Sequence, residues 1–235
     1  MKVAVVTGAA RGLGRQIAIT LRSCGYAVVI NYNRSLTEAN ELAELLGDTT
    51  MALQADVKSL SEMGEMAEKV KSRWGRVDAL INNAGITKDC LLMNYRESDL
   101  DEVLRVNLKG CFNAVKAFAP LMIKSGGGHI INVSSRSGVK GKAGQAAYSA
   151  SKGGVLGFTI VAAQELSAHN IRVNALLPGY MPTGMGRAAE KSMEEAKADS
   201  LLKRLSDPEE VSRFIAYLLT TRGITGQVFG LESRV

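Results

Sequence analysis

The amino-acid sequence predicts an α/β fold: a doubly wound parallel sheet of about seven strands with helices on both faces, in one domain spanning 1–235. Three observations carry that prediction. Short β-branched runs alternate with amphipathic stretches of helical period along the chain. A glycine-rich turn, Gly8-Ala9-Ala10-Arg11-Gly12-Leu13-Gly14, separates the first such run from the first such stretch. No linker, internal repeat or low-complexity segment interrupts the alternation.

Taken in order, Lys2 to Thr7 reads as the first strand, and the stretch after the glycine turn reads as a helix to about Cys24. Ala27 to Tyr32 is the second strand, Leu36 to Leu46 a helix, and the third strand ends in Ala55-Asp56-Val57. Ser59 to Trp74 is helical, and Asp78 to Ile81 is a strand running into Asn82-Asn83-Ala84-Gly85. Glu97 to about Ile123 reads as one long helix with Asn107 inside it. Asn is an indifferent helix former, so Asn107 either satisfies a backbone break or does chemistry. Gly126-Gly127-Gly128 turns the chain into a strand from His129 to Ser134, closed by Ser135. After a helix containing Tyr148 comes a sixth strand, Ile171 to Leu177; Pro178-Gly179 then begins an irregular segment to about Ala188. The charged stretch Glu190 to Leu202 is helical, so about 180–205 forms a lid, lined by Met181 and Met185. Asp207-Pro208 caps a further helix, and Gly226 to Phe229 is the last strand.

Composition narrows the function. Hydrophobic content of 46% and charged content of 22% suit a globular protein with a full core, and no apolar run is long enough to span a bilayer. Met1-Lys2 leads straight into the first strand without a signal-peptide apolar region, which points to the cytoplasm. Cys24, Cys90 and Cys111 form no paired motif and read as reduced packing residues; with two histidines, a metal site is not expected. His129 reads as a packing or capping residue. The net charge of +6 is scattered rather than clustered, against a nucleic-acid partner and in favour of an anionic small molecule.

Strand, glycine turn and helix form the layout in which backbone N–H groups cradle a pyrophosphate, here with the spacing G-x-x-x-G-x-G. The second strand ends without the acid that grips the ribose 2′-hydroxyl of NAD. Asn33, Arg34 and Ser35 stand there instead, with Arg11 in the turn; guanidiniums suit a 2′-phosphate, which favours NADP(H). Asp56 is placed either to accept from an adenine amino group or to cap the following helix. Tyr148 and Lys152 lie four apart, on one helical face. An ammonium one turn away favours the phenolate and makes a phenol a usable general acid. Ser135 is placed to hold a carbonyl oxygen beside that phenol.

Together these residues resemble the short-chain dehydrogenase/reductase family: Thr7-Gly8-x-x-x-Gly12-x-Gly14, Asn82-Asn83-Ala84-Gly85, Asn107, Ser135, Tyr148-x-x-x-Lys152 and Pro178-Gly179 fall in that family's order. Gly85 to Asp89, Leu91-Leu92-Met93, Val106 to Gly110 and Gly144 to Ser149 look most like its 3-oxoacyl-[acyl-carrier-protein] reductases. The resemblance implies a Rossmann fold and NADPH-dependent reduction of a 3-oxoacyl thioester in fatty acid biosynthesis. It makes Tyr148 the acid, Lys152 the holder of the nicotinamide ribose, Ser135 the carbonyl anchor and Asn107 the holder of a water leading to solvent. The cofactor lies along Gly8, Arg11, Gly12, Leu13 and Gly14, with Asp56 and Val57 near adenine. Asn83, Ala84 and Gly85 run beneath the ribose, and Pro178, Gly179, Met181 and Thr183 surround the carboxamide. A homotetramer, or a dimer, is the family's assembly. Two departures keep alternatives open. The chain ends Gly230-Leu231-Glu232-Ser233-Arg234-Val235 instead of an acid and two glycines, and Gly126 and His169 replace basic residues that face a carrier protein. A coenzyme A ester, another ketone such as a sugar, cyclic ketone or polyketide, or a non-catalytic dinucleotide sensor are the competing readings.

Overall fold

The computed structural model describes residues 1–183 and 190–234. The strands are β1 (Val3–Val6), β2 (Ala27–Tyr32), β3 (Thr50–Gln54), β4 (Ala79–Asn82), β5 (Gly128–Val133), β6 (Ile171–Pro178) and β7 (Val228–Leu231). They form one parallel sheet in the order β3-β2-β1-β4-β5-β6-β7. The order reverses on either side of β1, so the carboxyl ends of β1 and β4 flank the crevice where ligands bind in such sheets.

Alternation along each strand splits the core between two faces. In β1, Val3 and Val5 point into one cluster, with Met63, Met66, Phe118 and Met122; Ala4 and Val6 point into the other, with Ile17, Leu21, Leu42 and Ile215. The first cluster lies under helices α3 (Leu60–Trp74), α5 (Gly110–Lys124) and α7 (Ala146–Leu166); the second lies under α1 (Gly12–Ser23), α2 (Leu36–Leu46) and the last helix. That last helix is α9 (Pro208–Leu218); the remaining α-helices are α4 (Glu97–Leu104), α6 (Ser137–Lys140) and α8 (Glu190–Asp199). Caps fix the ends. Ser59 accepts from the Glu62 N–H at 3.2 Å, and Asp207 accepts from the Glu209 N–H at 2.8 Å ahead of Pro208.

Several sequence expectations are corrected. The third strand stops at Gln54 rather than running through Ala55-Asp56-Val57, because the Asp56 N–H turns away to the Glu62 carboxylate at 2.8 Å. The predicted long helix from Glu97 is two α-helices joined by a π segment, Arg105–Lys109. The helix predicted for Glu190 to Leu202 stops at Asp199, Pro178 belongs to β6, and the last strand begins at Val228 because Gly226 has a left-handed φ of +70°. Cys111 is buried as expected, but Cys24 is exposed at the end of α1 and packs nothing. His129 is buried, as a packing residue should be. Met185 and the rest of 184–189 in the predicted lid lie outside the described residues.

Candidate active site

Every predicted site residue lies at or beyond the carboxyl end of a strand, on α1, or on the helices that close over that edge. The glycine turn follows β1. Gly8 and Gly12 have φ of +62° and +58°, which only glycine adopts without strain. Gly14 is needed for contact: a Cβ there would lie 2.4 Å from the Gly8 carbonyl oxygen and 2.5 Å from Asn83 Nδ2. The turn is held from behind by two residues. Asn83 Nδ2 donates to the carbonyls of Thr7 (3.0 Å) and Gly8 (3.2 Å), while the Thr7 hydroxyl accepts the N–H groups of Asn83 and Ala84, both at 3.0 Å. Asn31 Oδ1 accepts the Gly8 N–H at 3.3 Å and its Nδ2 donates to the Ala55 carbonyl at 3.0 Å. The Asn83 side chain thus braces the turn from behind, and only its backbone is left for the crevice. Asn31 escaped the sequence reading; an amide inside a β-branched strand was the signal.

The turn fits the phosphates of a dinucleotide. Helix α1 begins behind Arg11 with no side-chain cap and no acid in its first turn, so its N–H groups and positive dipole end face the crevice. Arg11, Asn33 and Arg34 are exposed, and Ser35 precedes α2 without using its hydroxyl as a cap. Capping of α3 falls to Ser59, not Asp56, whose carboxylate pairs with Lys58 at 3.4 Å and accepts the Lys58 N–H at 3.0 Å. Val57 is buried and its carbonyl accepts from Asn113 Nδ2 at 2.8 Å. Opposite the turn, Thr183 approaches Gly12, with its Cβ 3.6 Å from where a Gly12 Cβ would lie. Pro178, Gly179 and Met181 lead from β6 toward it.

The reactive constellation sits between β5 and α7. Lys152 is buried, its Nζ donates to the Val133 carbonyl at 2.7 Å, and it lies 5.7 Å from the centre of the Tyr148 ring. Ser134 Oγ donates to the Lys152 carbonyl at 2.8 Å, locking α7 to the end of β5. Ser135, the next residue, accepts the Ser137 N–H at 3.2 Å on its hydroxyl, which stays half-buried beside that edge.

Asn107 is in the π segment and fully buried. Its Oδ1 accepts the Ile86 N–H at 2.8 Å, and its Nδ2 donates to the Ile86 carbonyl at 2.9 Å and to Ser151 Oγ at 3.0 Å. Ser151 Oγ donates in turn to the Tyr148 carbonyl at 2.7 Å. Of the two outcomes foreseen for Asn107 the structure shows the backbone one: the regular helix is interrupted at the π segment, and its amide ties the loop after β4 to α7. Gly85 makes room for this. A Cβ there would sit 3.3 Å from Asn107 Oδ1 and 3.5 Å from Lys152 Nζ. Ser151 is a site residue that spacing alone concealed.

The open side of the cleft is strapped by polar contacts. Gln145 Nε2 donates to Asp89 at 3.0 Å, Ser137 Oγ donates to Gln145 Oε1 at 3.0 Å, and the Cys90 N–H reaches the Gly144 carbonyl at 2.8 Å. Lys88 bridges Asp99 and Glu102, and these ion pairs raise the Lys88 pKa while lowering those of both carboxyls. From α8, Ser192 Oγ lies 3.2 Å from Lys142 Nζ. Burial raises the phenol of Tyr180, helped by the charge of Asp89 and opposed by a hydrogen bond with Ser192.

Comparison with known proteins fits this geometry. The profile of the family described as short chain dehydrogenase matches residues 2–194. The chain is 41% identical over 232 residues to the 3-oxoacyl-[acyl-carrier-protein] reductase FabG of Staphylococcus epidermidis, covering 96% of this chain and 95% of that one. It is 40% identical over 236 residues to the enzyme of that name from Thermotoga maritima (98% and 96%), and 39% over 242 to 3-oxoacyl-[acyl-carrier-protein] reductase from Synechocystis (98% and 95%). Among the described residues no helix is long and apolar enough to cross a membrane. With its parallel sheet, its braced glycine turn and a Tyr148–Lys152 pair set beside Ser135, the chain belongs to the short-chain dehydrogenase family.

Proposed function

We propose that the chain is an NADPH-dependent oxidoreductase that reduces a 3-oxoacyl thioester to the 3-hydroxyacyl thioester. The observation that carries this reading is the buried Lys152 ammonium, pinned to the Val133 carbonyl and 5.7 Å from the Tyr148 ring. A buried cation is costly unless it is hydrogen-bonded or paired; the Val133 carbonyl supplies one such bond, and the phenol beside it is placed as general-acid chemistry requires. The 39–41% identity to relatives named for 3-oxoacyl reduction supports the substrate class.

Bound NADPH would supply the hydride that the ketone carbon takes up. Ser135 Oγ donates a hydrogen bond to the ketone oxygen and holds it as charge develops there. Tyr148 gives its phenolic proton to the nascent alkoxide, so the product leaves as a neutral alcohol and Tyr148 remains as phenolate. The Lys152 ammonium stabilises that phenolate until solvent returns the proton, and its remaining N–H groups are available to the nicotinamide ribose. Asn107 fixes the Ile86 backbone and, through Ser151, the α7 turn carrying Tyr148. Gly8, Arg11, Gly12, Leu13 and Gly14 would hold the pyrophosphate; Arg11, Asn33, Arg34 and Ser35 would hold the 2′-phosphate; Asp56 and Val57 would flank adenine. Asn83, Ala84 and Gly85 would hold the ribose, and Pro178, Gly179, Met181 and Thr183 the carboxamide.

The chain works as one domain, in the cytoplasm, with a lid over about 180–205. Its homotetramer forms partly through α5 and α7, where Phe112 stacks on Phe158 at 4.1 Å while remaining 53% exposed, beside exposed Ile160 and Val161. Exposed Gly126 and His169, where neither a lysine nor an arginine stands, leave a coenzyme A ester as the second reading of the thioester. The deciding assay follows NADPH, and separately NADH, oxidation with acetoacetyl-coenzyme A for wild type and Tyr148→Phe. Turnover with NADPH well above NADH, abolished by Tyr148→Phe, supports the proposal. A preference for NADH overturns the Arg11/Arg34 assignment, and no turnover overturns the substrate class.

A further inference from the structure

The segment after β7 is drawn into the active-site wall. Leu231 pairs with Pro178 at the carboxyl edge of the sheet, so the residues after it run beside the segment that begins at Gly179. The Glu232 side chain is only 9% exposed and lies between two guanidiniums, 3.6 Å from Arg136 Nη1 and in contact with Arg234 Nε. Arg136 directly follows Ser135 and begins the tight turn whose Val139 and Lys140 N–H groups bond the Arg136 carbonyl, both at 2.9 Å. On its other side Glu232 packs on bare backbone. A Cβ at Gly179 would sit 2.7 Å from Glu232 Cβ and 2.0 Å from Ser206 Oγ. The next residue reaches the lid. Ser233 O accepts the Leu201 N–H at 2.9 Å, and its hydroxyl lies 2.5 Å from that of buried Ser200, at the base of α8.

We propose that Glu232 is a positioning residue for Ser135, acting through Arg136, and that Glu232-Ser233-Arg234 couples the Ser135 turn to the anchored end of the lid helix. A carboxylate shared by two largely buried guanidiniums keeps them from repelling each other in a poorly solvated place. Removing its charge leaves Arg136 facing Arg234, and Arg136 moves away with the backbone turn that aims the Ser135 hydroxyl. A misplacement of that kind slows chemistry first, because E232Q keeps the side-chain packing over Gly179 and so leaves that wall of the cofactor site in place. The inference rests on the reductase reading only in taking Ser135 as the group that touches the ketone.

The test is steady-state kinetics and thermal unfolding of wild type, E232Q, R136Q and the double variant, with NADPH and a ketone that wild type reduces. Gln keeps the shape that fills the space over Gly179. E232Q lowers kcat by about tenfold and leaves the KM for NADPH within about twofold; R136Q does the same, and the double variant is no slower than either. A wild-type kcat for E232Q, or losses that multiply in the double variant, overturns the role. A fall in melting temperature with kcat unchanged assigns Glu232 to packing alone and also overturns it. If E232Q does not fold, R136Q decides by the same split between kcat and KM. Failure of wild type on acetoacetyl-coenzyme A, with turnover of another ketone, removes the thioester reading, and the comparison is then made on that ketone. Wild type inactive on every ketone removes both.

Discussion

Tyr148 and Lys152 are separated by one helical turn, and α7 holds both on the face that meets the end of β5. If Tyr148 is the proton donor, Tyr148→Phe keeps the ring and loses the proton. Turnover in the NADPH assay should fall by about 100- to 10,000-fold with little change in fold. Asn107 behaves differently. Asn107→Ala frees the partly buried Ile86 N–H and carbonyl and takes a donor from the fully buried Ser151, so urea unfolding should register a loss of about 2–4 kcal/mol as well as reduced turnover. At His129, burial first and then the charges of Arg172 and Lys2 lower the pKa to about 4. The unfolded imidazole takes its proton near 6.5, so the folded state resists protonation that the unfolded state accepts. Stability is full above about pH 6.5 and is lost as pH falls toward 4. Urea midpoints measured from pH 7 to pH 5 should fall more steeply for wild type than for His129→Gln. The thiols separate by the same logic: burial pushes Cys111 up to about 11, while Cys24 is exposed, so iodoacetamide on the native protein should label Cys24 and spare Cys111.

At the scale of the element, the glycine turn and the π segment are the two structures the site depends on. The first was legible, because Gly8, Gly12 and Gly14 sit between a strand and a helix and each answers a local steric demand. Gly14→Ala would force the turn off Asn83 and the Gly8 carbonyl. NADPH affinity measured by fluorescence should drop at least about tenfold, whereas Gly25→Ala, beyond the end of the same helix, should leave it unchanged. The π segment was not legible as such. An Asn inside a helical pattern marked the place, but one extra residue in a turn has no signature in a period-3.6 pattern. The segment exists because the Asn107 amide bonds a loop at Ile86 and a helix at Ser151, residues 21 and 44 positions away. The end of β3 and the start of β7 were misplaced for a similar reason: Glu62 draws off the Asp56 N–H, and φ at Gly226 delays the extended run, neither of which alternation records.

For the whole molecule, alternation of β-branched runs with amphipathic stretches determined the class of fold and which residues are buried, because burying one face of each element is a constraint local sequence must satisfy everywhere. The motifs likewise determined which residues gather at the carboxyl edge, since the glycine turn, Asn82 to Gly85, Ser135 and Pro178-Gly179 each stand at or just beyond the end of a strand. What tertiary structure alone decided is how those residues are held. Asn83 braces the turn from behind, Ser134 and Asn107 lock the helix that carries Tyr148, and Glu232 meets Arg136 from the far end of the chain. Each of these contacts joins segments that are distant in sequence, and its energy exists only once the sheet order β3-β2-β1-β4-β5-β6-β7 has brought the segments together. A residue's chemistry is written in its own side chain; its partners are set by the fold.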